Sequence, residues 1–600
     1  MHINLKGPGM TTKRLRFAAL ALLVVLASLA VAACGSDDSS SSSSSGGSDT
    51  TKSVPVGKQG GSVTALSAGD VDYMDPGQQY YTFGYQVGYS VNRPLYYFSP
   101  KDSSKQIPDT AEADPTIAAD GKSMTIKLKK GVKFSPPVNR AIKCDDIKYA
   151  FERAFSENVP NAYATQYFGD IVGAPSKPTK GIQDISGITC PDDQTIKFAL
   201  KTPTAGAVYA ALVMPITMPV PREYASKFDK TNPSTYDKNV VFTGPYMVKN
   251  NSEGKLTGWE PGKQIEAIRN PNWDKSTDFR PAYLNSWRIA EGNTDAAIAS
   301  RRILQGSQLV QGDGAPPAEV LKQAATSYKS QLIFSPSGGT RYIALNTTRP
   351  PFNNPNIRKA VVAGMDRNAL RLARGGAIIG PLAWSYLPPD FPGGKQSGGL
   401  KPPADIDFEQ NEQGDPALAA SYMKKAGFAN GKYSGKAIFM PATNADPGKK
   451  MAEVAQAQLE KLGFKVNVRF LPQNTLYTKY CNSGKSNYDV CPNVGFFKDF
   501  LDGASLIKPT FYGPAIIPQN NTNWPLLDDP NVNKLIDTAS TTKPGEARDQ
   551  AWADANLAIV KLAAAVPVVW DNQPIIASKD VNLVADDYAN SPFMSFLSIK

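Results

Sequence analysis

Histidine is almost missing from this chain: among 600 residues there is one, His2. It falls in a leading segment that reads as a removable signal, so the mature chain is expected to carry no imidazole at all. That excludes Ser-His-Asp and Cys-His nucleophile pairs, HExxH metallopeptidase chemistry and imidazole-ligated metals. Cysteine is scarce as well, with five in total and no CxxC spacing, so a four-thiolate zinc site is a poor reading. Dense Lys/Arg runs are absent. The formal charge of +11 falls to about +7 once Lys6, Lys13, Arg14 and Arg16 are removed with the signal, and what remains is spread out, which gives nucleic-acid binding little support. Two GKS tripeptides, at Gly121 and Gly484, have Thr116 and Lys479 where a phosphate-binding loop needs glycine. After the leader no run is apolar enough to span a bilayer.

What is present begins with location. A basic stretch (Lys13, Arg14, Arg16) precedes the apolar residues 17–33, and the run LAVAAC ends in Cys34 behind Ala32 and Ala33. This is the pattern of a lipoprotein signal, in which the Cys34 thiol becomes a diacylglyceryl thioether and the chain is cut before it. The alternative is a retained anchor, for which the apolar run is short. Residues 1–33 are thus expected to be a signal peptide, and residues 34–54 a lipidated cysteine with a Ser/Gly-rich tether whose reach is roughly 25 Å. The expected location is the outer face of the cytoplasmic membrane, at the cell surface or in the periplasm, lipid-anchored.

About 550 residues follow, enough for two or more lobes. Four cysteines remain: Cys144, Cys190, Cys481 and Cys491. Three pairings are possible, and closeness in sequence favours Cys144 with Cys190 and Cys481 with Cys491, with free buried thiols as the other reading. Adjacent acids at Asp145-Asp146, Asp192-Asp193 and Asp528-Asp529 could serve as general acid and base, but each sits at a turn or helix start, where capping is the simpler role. Carboxylate-only hydrolysis stays open.

Met124, Ile126 and Leu128 alternate with polar residues, as do Ile196, Phe198 and Leu200, the period of half-buried strands. Asp145 or Asp146 is expected to cap a helix whose apolar side carries Ile147, Ala150, Phe151 and Ala154. Residues 437–440 read as a strand, 449–462 as a helix ended by Gly463, and 464–470 as a second strand, which together make a β-α-β unit. A further helix over 550–564 leads into an apolar strand at 566–570.

Four ordered blocks then carry a resemblance: ADPTIAADGKSMTIKLKKGVKFSPPVNRAIKCDDIKYAFERAF (113–155); TGPYMV (243–248) with RNPNW (269–273); YIALNTTRPPFNNPNIRKAVVAGMDRNAL (342–370); and QLEKLGFKVNV (458–468). The chain from about residue 60 onwards resembles the family 5 extracellular solute-binding proteins of ABC transporters, the oligopeptide, dipeptide and nickel binders. The resemblance implies an α/β fold of the two-lobed periplasmic-binding-protein type (type II, cluster C) with an extra inserted subdomain. Lobe I is expected at 55–105, 220–335 and 566–600, the insertion at 106–219 and lobe II at 336–565. It implies a monomeric receptor, not an enzyme, that closes on a peptide or similar solute and hands it to ABC permease and ATPase subunits. No cofactor is implied, and nickel is disfavoured because the mature chain offers no imidazole.

Family members anchor a peptide ammonium on the aspartate of a W-x-x-D-aromatic motif, and the matching stretch here is GFFKDFLDG (495–503), with Asp499 in the aspartate position. Phe496 replaces the usual tryptophan, and Gly503 stands where a proline often follows the second acid, Asp502. The other reading of Asp499 is an ordinary loop acid. Phe496, Phe497, Tyr81, Tyr85 and Trp384 are further candidates for ligand contact, although the run Tyr80, Tyr81, Phe83, Tyr85, Tyr89 also suits a core. The rival functions are an oligosaccharide or opine receptor and, from another class, a carboxylate-dependent surface hydrolase.

Overall fold

The structure, a computed structural model, describes residues 54–600 apart from 337 and 486. The lipoprotein signal, Cys34 and the tether up to residue 53 lie outside the described residues. Residues from Thr51 to Lys600 form one compact unit. Within the described residues no helix is long and apolar enough to cross a membrane.

The first lobe is built on a six-stranded sheet. Strand Ser62–Leu66 pairs in parallel with Ser286–Ala290 and Leu309–Gln311, and the sheet continues antiparallel through Gln264–Arg269 to Tyr246–Val248, with the short Trp259–Glu260 at its side. Val63, Ala65, Ile265, Ala267, Trp287 and Ile289 alternate into its core and are buried.

A four-stranded antiparallel sheet inside the 106–219 segment holds Thr116–Ile117, Ser123–Lys127, Thr195–Ala199 and Ile188–Asp192. The two expected strands are there, in register with each other: Met124 lies opposite Phe198 and Ile126 opposite Ile196. Helix Cys144–Ala154 packs on this sheet, but neither aspartate occupies its cap position. Lys143 does, and Asp146, three residues on, accepts the Lys143 backbone N–H at 2.8 Å while Arg140 holds it at 2.6 Å. Asp145 pairs with Arg222. Asp529, by contrast, caps helix Pro530–Thr541 through the N–H groups of Asn531 and Val532.

The second lobe has a three-stranded antiparallel sheet, Val490–Phe497, Gly339–Leu345 and Ala565–Trp570, and a parallel pair, Ile438–Thr443 with Val466–Leu471, joined by helix Gly448–Lys461. The β-α-β unit is therefore present. Strand Ala565–Trp570, at the expected boundary between 336–565 and 566–600, pairs antiparallel with Gly339–Leu345. Strands Leu332–Ser335 and Gln573–Ile576 pair antiparallel with each other.

Both expected disulfides are formed. Cys144–Cys190 ties the start of the insertion helix to its sheet, with Cα atoms 5.7 Å apart, and Cys481–Cys491 ties the Tyr477–Cys481 turn to strand Val490–Phe497, with Cα atoms 6.2 Å apart.

Candidate functional site

Strand Val490–Phe497 ends at the interface between the lobes, and Asp499 follows it two residues later. The Asp499 side chain is buried, and among the described residues no cation pairs with it. Its Oδ2 accepts two phenol hydrogens, from Tyr80 at 2.7 Å and Tyr167 at 2.5 Å, while Oδ1 makes no hydrogen bond among the described residues. Its own carbonyl accepts the Tyr588 hydroxyl at 2.9 Å. Burial pushes the Asp499 carboxyl up to about 7, against the opposing pull of the Tyr167 and Tyr80 hydroxyls. A carboxylate there is under-solvated and poised for a positive charge.

The donors come from different parts of the chain. Tyr80 precedes helix Thr82–Val91 in lobe I, Tyr167 ends the short helix Ala164–Tyr167 in the insertion, and Tyr588 belongs to the C-terminal segment. Around them rings follow one another, Tyr80 to Tyr163 at 5.0 Å, Tyr163 to Tyr167 at 5.8 Å and Tyr167 to Phe500 at 4.8 Å, while Tyr85 and Tyr588 stack on each other separately at 6.1 Å. Aromatic faces around a carboxylate suit an alkylammonium, which gains from the ring quadrupoles as well as from the acid.

The other sequence candidates divide. Phe496 is buried and bridges Tyr80 at 6.2 Å and Trp524 at 6.1 Å. Phe497 is half-buried, with the Arg341 guanidinium 5.8 Å from its ring. Tyr81 donates to Asp313 at 3.0 Å and accepts from Gln473 of lobe II at 2.9 Å, a second polar link across the interface. Tyr85 is buried with its hydroxyl unpartnered, and Asp499 is among the charges that hold that phenol in its neutral form. Trp384 stands apart from this group: it is a core side chain of lobe II, 2 % exposed, with its indole N–H donated to the Gly399 carbonyl at 2.9 Å and its ring against Gly398. The aromatic count in its segment was visible in sequence, but the glycine pair that receives the indole was not.

Sequence reasoning missed Tyr167 and Tyr588, which reach Asp499 only through tertiary structure, and Tyr163, whose ring packs on Tyr80 and Tyr167. Tyr80 was visible in the aromatic run. Among the described residues no group of three or more His, Cys, Asp and Glu side chains is placed to hold a metal ion. A depression of about 520 Å³ lined by Tyr149, Ile182, Arg222 and Lys230 shares none of the Asp499 contacts.

Against known proteins, the family described as bacterial extracellular solute-binding proteins, family 5, matches residues 105–515. The di/tripeptide-binding protein 3 of Pseudomonas aeruginosa (strain UCBPP-PA14) is 26 % identical over 514 residues, covering 82 % of this chain and 86 % of that protein. The periplasmic oligopeptide-binding protein OppA of Escherichia coli (strain K12) is 24 % identical over 457 residues, 75 % of this chain and 77 % of that one. Among solved structures, the clavulanic acid biosynthesis oligopeptide binding protein 2 superposes with a TM-score of 0.75 at 23 % identity, over 91 % of this chain and 96 % of that chain, a likeness of fold. With the family match spanning most of its length, and with the two-lobed α/β architecture in place, the chain belongs to the family 5 bacterial extracellular solute-binding proteins.

Proposed function

We propose that this protein is the receptor of an ABC importer that captures peptides, or similar extended solutes bearing an ammonium, between its two lobes and delivers them to the permease. The observation that carries this reading is the unpaired Oδ1 of buried Asp499. A ligand ammonium placed there would supply the missing counter-charge and a charge-assisted hydrogen bond, and would stabilise the closed arrangement in which lobe I, the insertion and lobe II meet. The printed functions of the relatives, di/tripeptide and oligopeptide binding, agree with it. An oligosaccharide receptor would have little use for a buried, uncompensated carboxylate. On this reading the protein binds and releases solute without making or breaking a bond. It acts as a monomer, held at the outer face of the cytoplasmic membrane through lipid on Cys34. Tyr81, Tyr85, Phe496 and Phe497 line the ligand's path.

Native mass spectrometry of the protein as purified tests the ligand class directly, and a bound peptide is the expected finding. With a peptide in hand, Asp499→Ala is expected to lower affinity about tenfold or more, roughly 1.4 kcal/mol. Unchanged affinity in that variant would remove the ammonium-anchor role.

A further inference from the structure

Three segments far apart in sequence meet on the Asp499 carboxyl. Tyr80 and Tyr167, which donate to its Oδ2 at 2.7 and 2.5 Å, lie 419 and 332 residues away. Each partner is itself held in place. The Tyr80 and Tyr81 N–H groups donate to Asp72 at 2.6 and 2.7 Å, which fixes the turn into helix Thr82–Val91. The short helix Ala164–Tyr167 of the insertion is gripped by residues that follow Asp499: Lys508 Nζ donates to the Gln166 carbonyl at 2.9 Å, and Phe500 packs edge-on against the Tyr167 ring at 4.8 Å. The Asp499 backbone is tied down as well, its carbonyl accepting the Tyr588 hydroxyl at 2.9 Å. Parting lobe II from lobe I and the insertion therefore breaks both phenol bonds and lets water reach the carboxyl.

The groups that face Asp499 are phenols: Tyr80 and Tyr85 from lobe I, Tyr163 and Tyr167 from the insertion, and Tyr588 from the C-terminal segment. Its charged neighbours along the chain are engaged elsewhere, Lys498 with the Asp587 carbonyl at 3.2 Å and Asp502 with Arg548 at 2.6 Å. Phenol donors serve a neutral carboxyl and a carboxylate alike, so burial decides between the two, and its penalty on the charge outweighs both phenols. The closed form thus holds a proton on Asp499 more tightly than an open form in which that side chain is hydrated. Asp313, beside the Tyr81–Gln473 link, is raised by burial and acts in the same sense; Lys508, lowered by burial, acts in the opposite one.

We propose that Asp499 is a proton-operated latch on the empty receptor: protonated, it holds the ligand-free protein closed through Tyr80 and Tyr167, and ionised, it lets the parts separate. The latch is fully set below about pH 4, where the hydrated carboxyl is protonated too, and is released as pH rises through about 7, the value in the closed form. At neutral pH and above the empty receptor is open to solute, and in acid it stays shut. The proposal goes beyond the peptide reading and concerns the protein without ligand. The rival is a static interface whose closure ignores pH.

Small-angle X-ray scattering of the ligand-stripped protein, recorded from pH 5 to pH 8 and again after return to pH 5, tests the latch. The wild type is expected to be compact at pH 5 and to expand reversibly with unchanged far-UV circular dichroism, its closed-to-open ratio falling about tenfold or more. Asp499→Asn, which keeps the shape and stays neutral, is expected to remain compact throughout, with a change below about threefold that reports Asp313 and Lys508. Tyr167→Phe, which keeps the ring and loses the donor, is expected to lower the closed fraction at pH 5 and to match the wild type at pH 8; it carries the test should Asp499→Asn not fold. Compactness that ignores pH in the wild type, an equal expansion in Asp499→Asn, or an Asn variant open at both pH values would overturn the latch. None of these outcomes bears on the peptide reading, which the ligand found by native mass spectrometry tests separately.

Discussion

Arg153 and Asp499 are both buried but differently matched. Arg153 lies between Asp75 and Asp229, 2.6 Å from each, and Asp229 also receives the Tyr149 and Ser234 hydroxyls. Nearby, Arg93, Asp109, Asp278 and Arg280 neutralise one another in the same way. Asp499 meets phenols only, on one of its two oxygens. Burying a charge costs several kcal/mol unless partners restore what water gave, so matched clusters belong to the architecture, and an unmatched carboxyl is a candidate for a ligand's counter-charge. Other buried acids lack cations too, but backbone amides serve them: Asp72 accepts from the N–H groups of Tyr80 and Tyr81, and Asp586 from those of Tyr588 and Ala589. Asp499 has no such amides.

The contrast can be broken at either end. The largest effect is expected from Asp229→Ala, which strips Arg153 of one of its two partners and should cost about 3–5 kcal/mol of stability by thermal or urea unfolding. Asp499→Asn should do the reverse, leaving unliganded stability unchanged or raised while abolishing preference for a ligand ammonium. Second in size is loss of a cross-link: Cys144→Ser with Cys190→Ser is expected to cost about 2–4 kcal/mol, the loop closed there being 46 residues long. Smaller again is a pH effect. Asp499, at about 7 in the fold and near 3.8 when unfolded, keeps a proton that the unfolded chain gives up. Its contribution to the unliganded form is thus fully present below about pH 4 and is lost as pH rises through 7. Asp237 at about 7, and Asp72 and Asp586 at about 6, act in the same direction, so Asp499→Asn should flatten only part of the fall in melting temperature between pH 4 and 7. A test of location involves no energy: Cys34→Ala is expected to release the protein from membranes, and its retention there would favour an uncleaved anchor.

Much of the fold was legible because its signals are local. Alternation at Met124, Ile126 and Leu128 gave a strand that pairs, residue for residue, with the alternation at Ile196 and Phe198. Closeness in sequence gave both disulfides. Signals that act through space were harder to read. The helix after Lys143 is capped from its third residue, Asp146, because Arg140 fixes that carboxylate in place. Strand Ala565–Trp570 reads in sequence as an apolar strand after a helix, and its antiparallel partner Gly339–Leu345, far earlier in the chain, is visible only in the fold. At the site, Asp499 was visible from its motif, whereas Tyr167 and Tyr588 lie 332 and 89 residues away and nothing in their own neighbourhoods marks them.

The most direct test of the central claim is the penalty for N-acetylation of a bound peptide, measured by calorimetry in the wild type and in Asp499→Asn. If Asp499 receives the ligand ammonium, acetylation weakens binding to the wild type by about tenfold or more and has little effect on binding to the variant. An equal penalty in both proteins, or none in the wild type, would contradict the account.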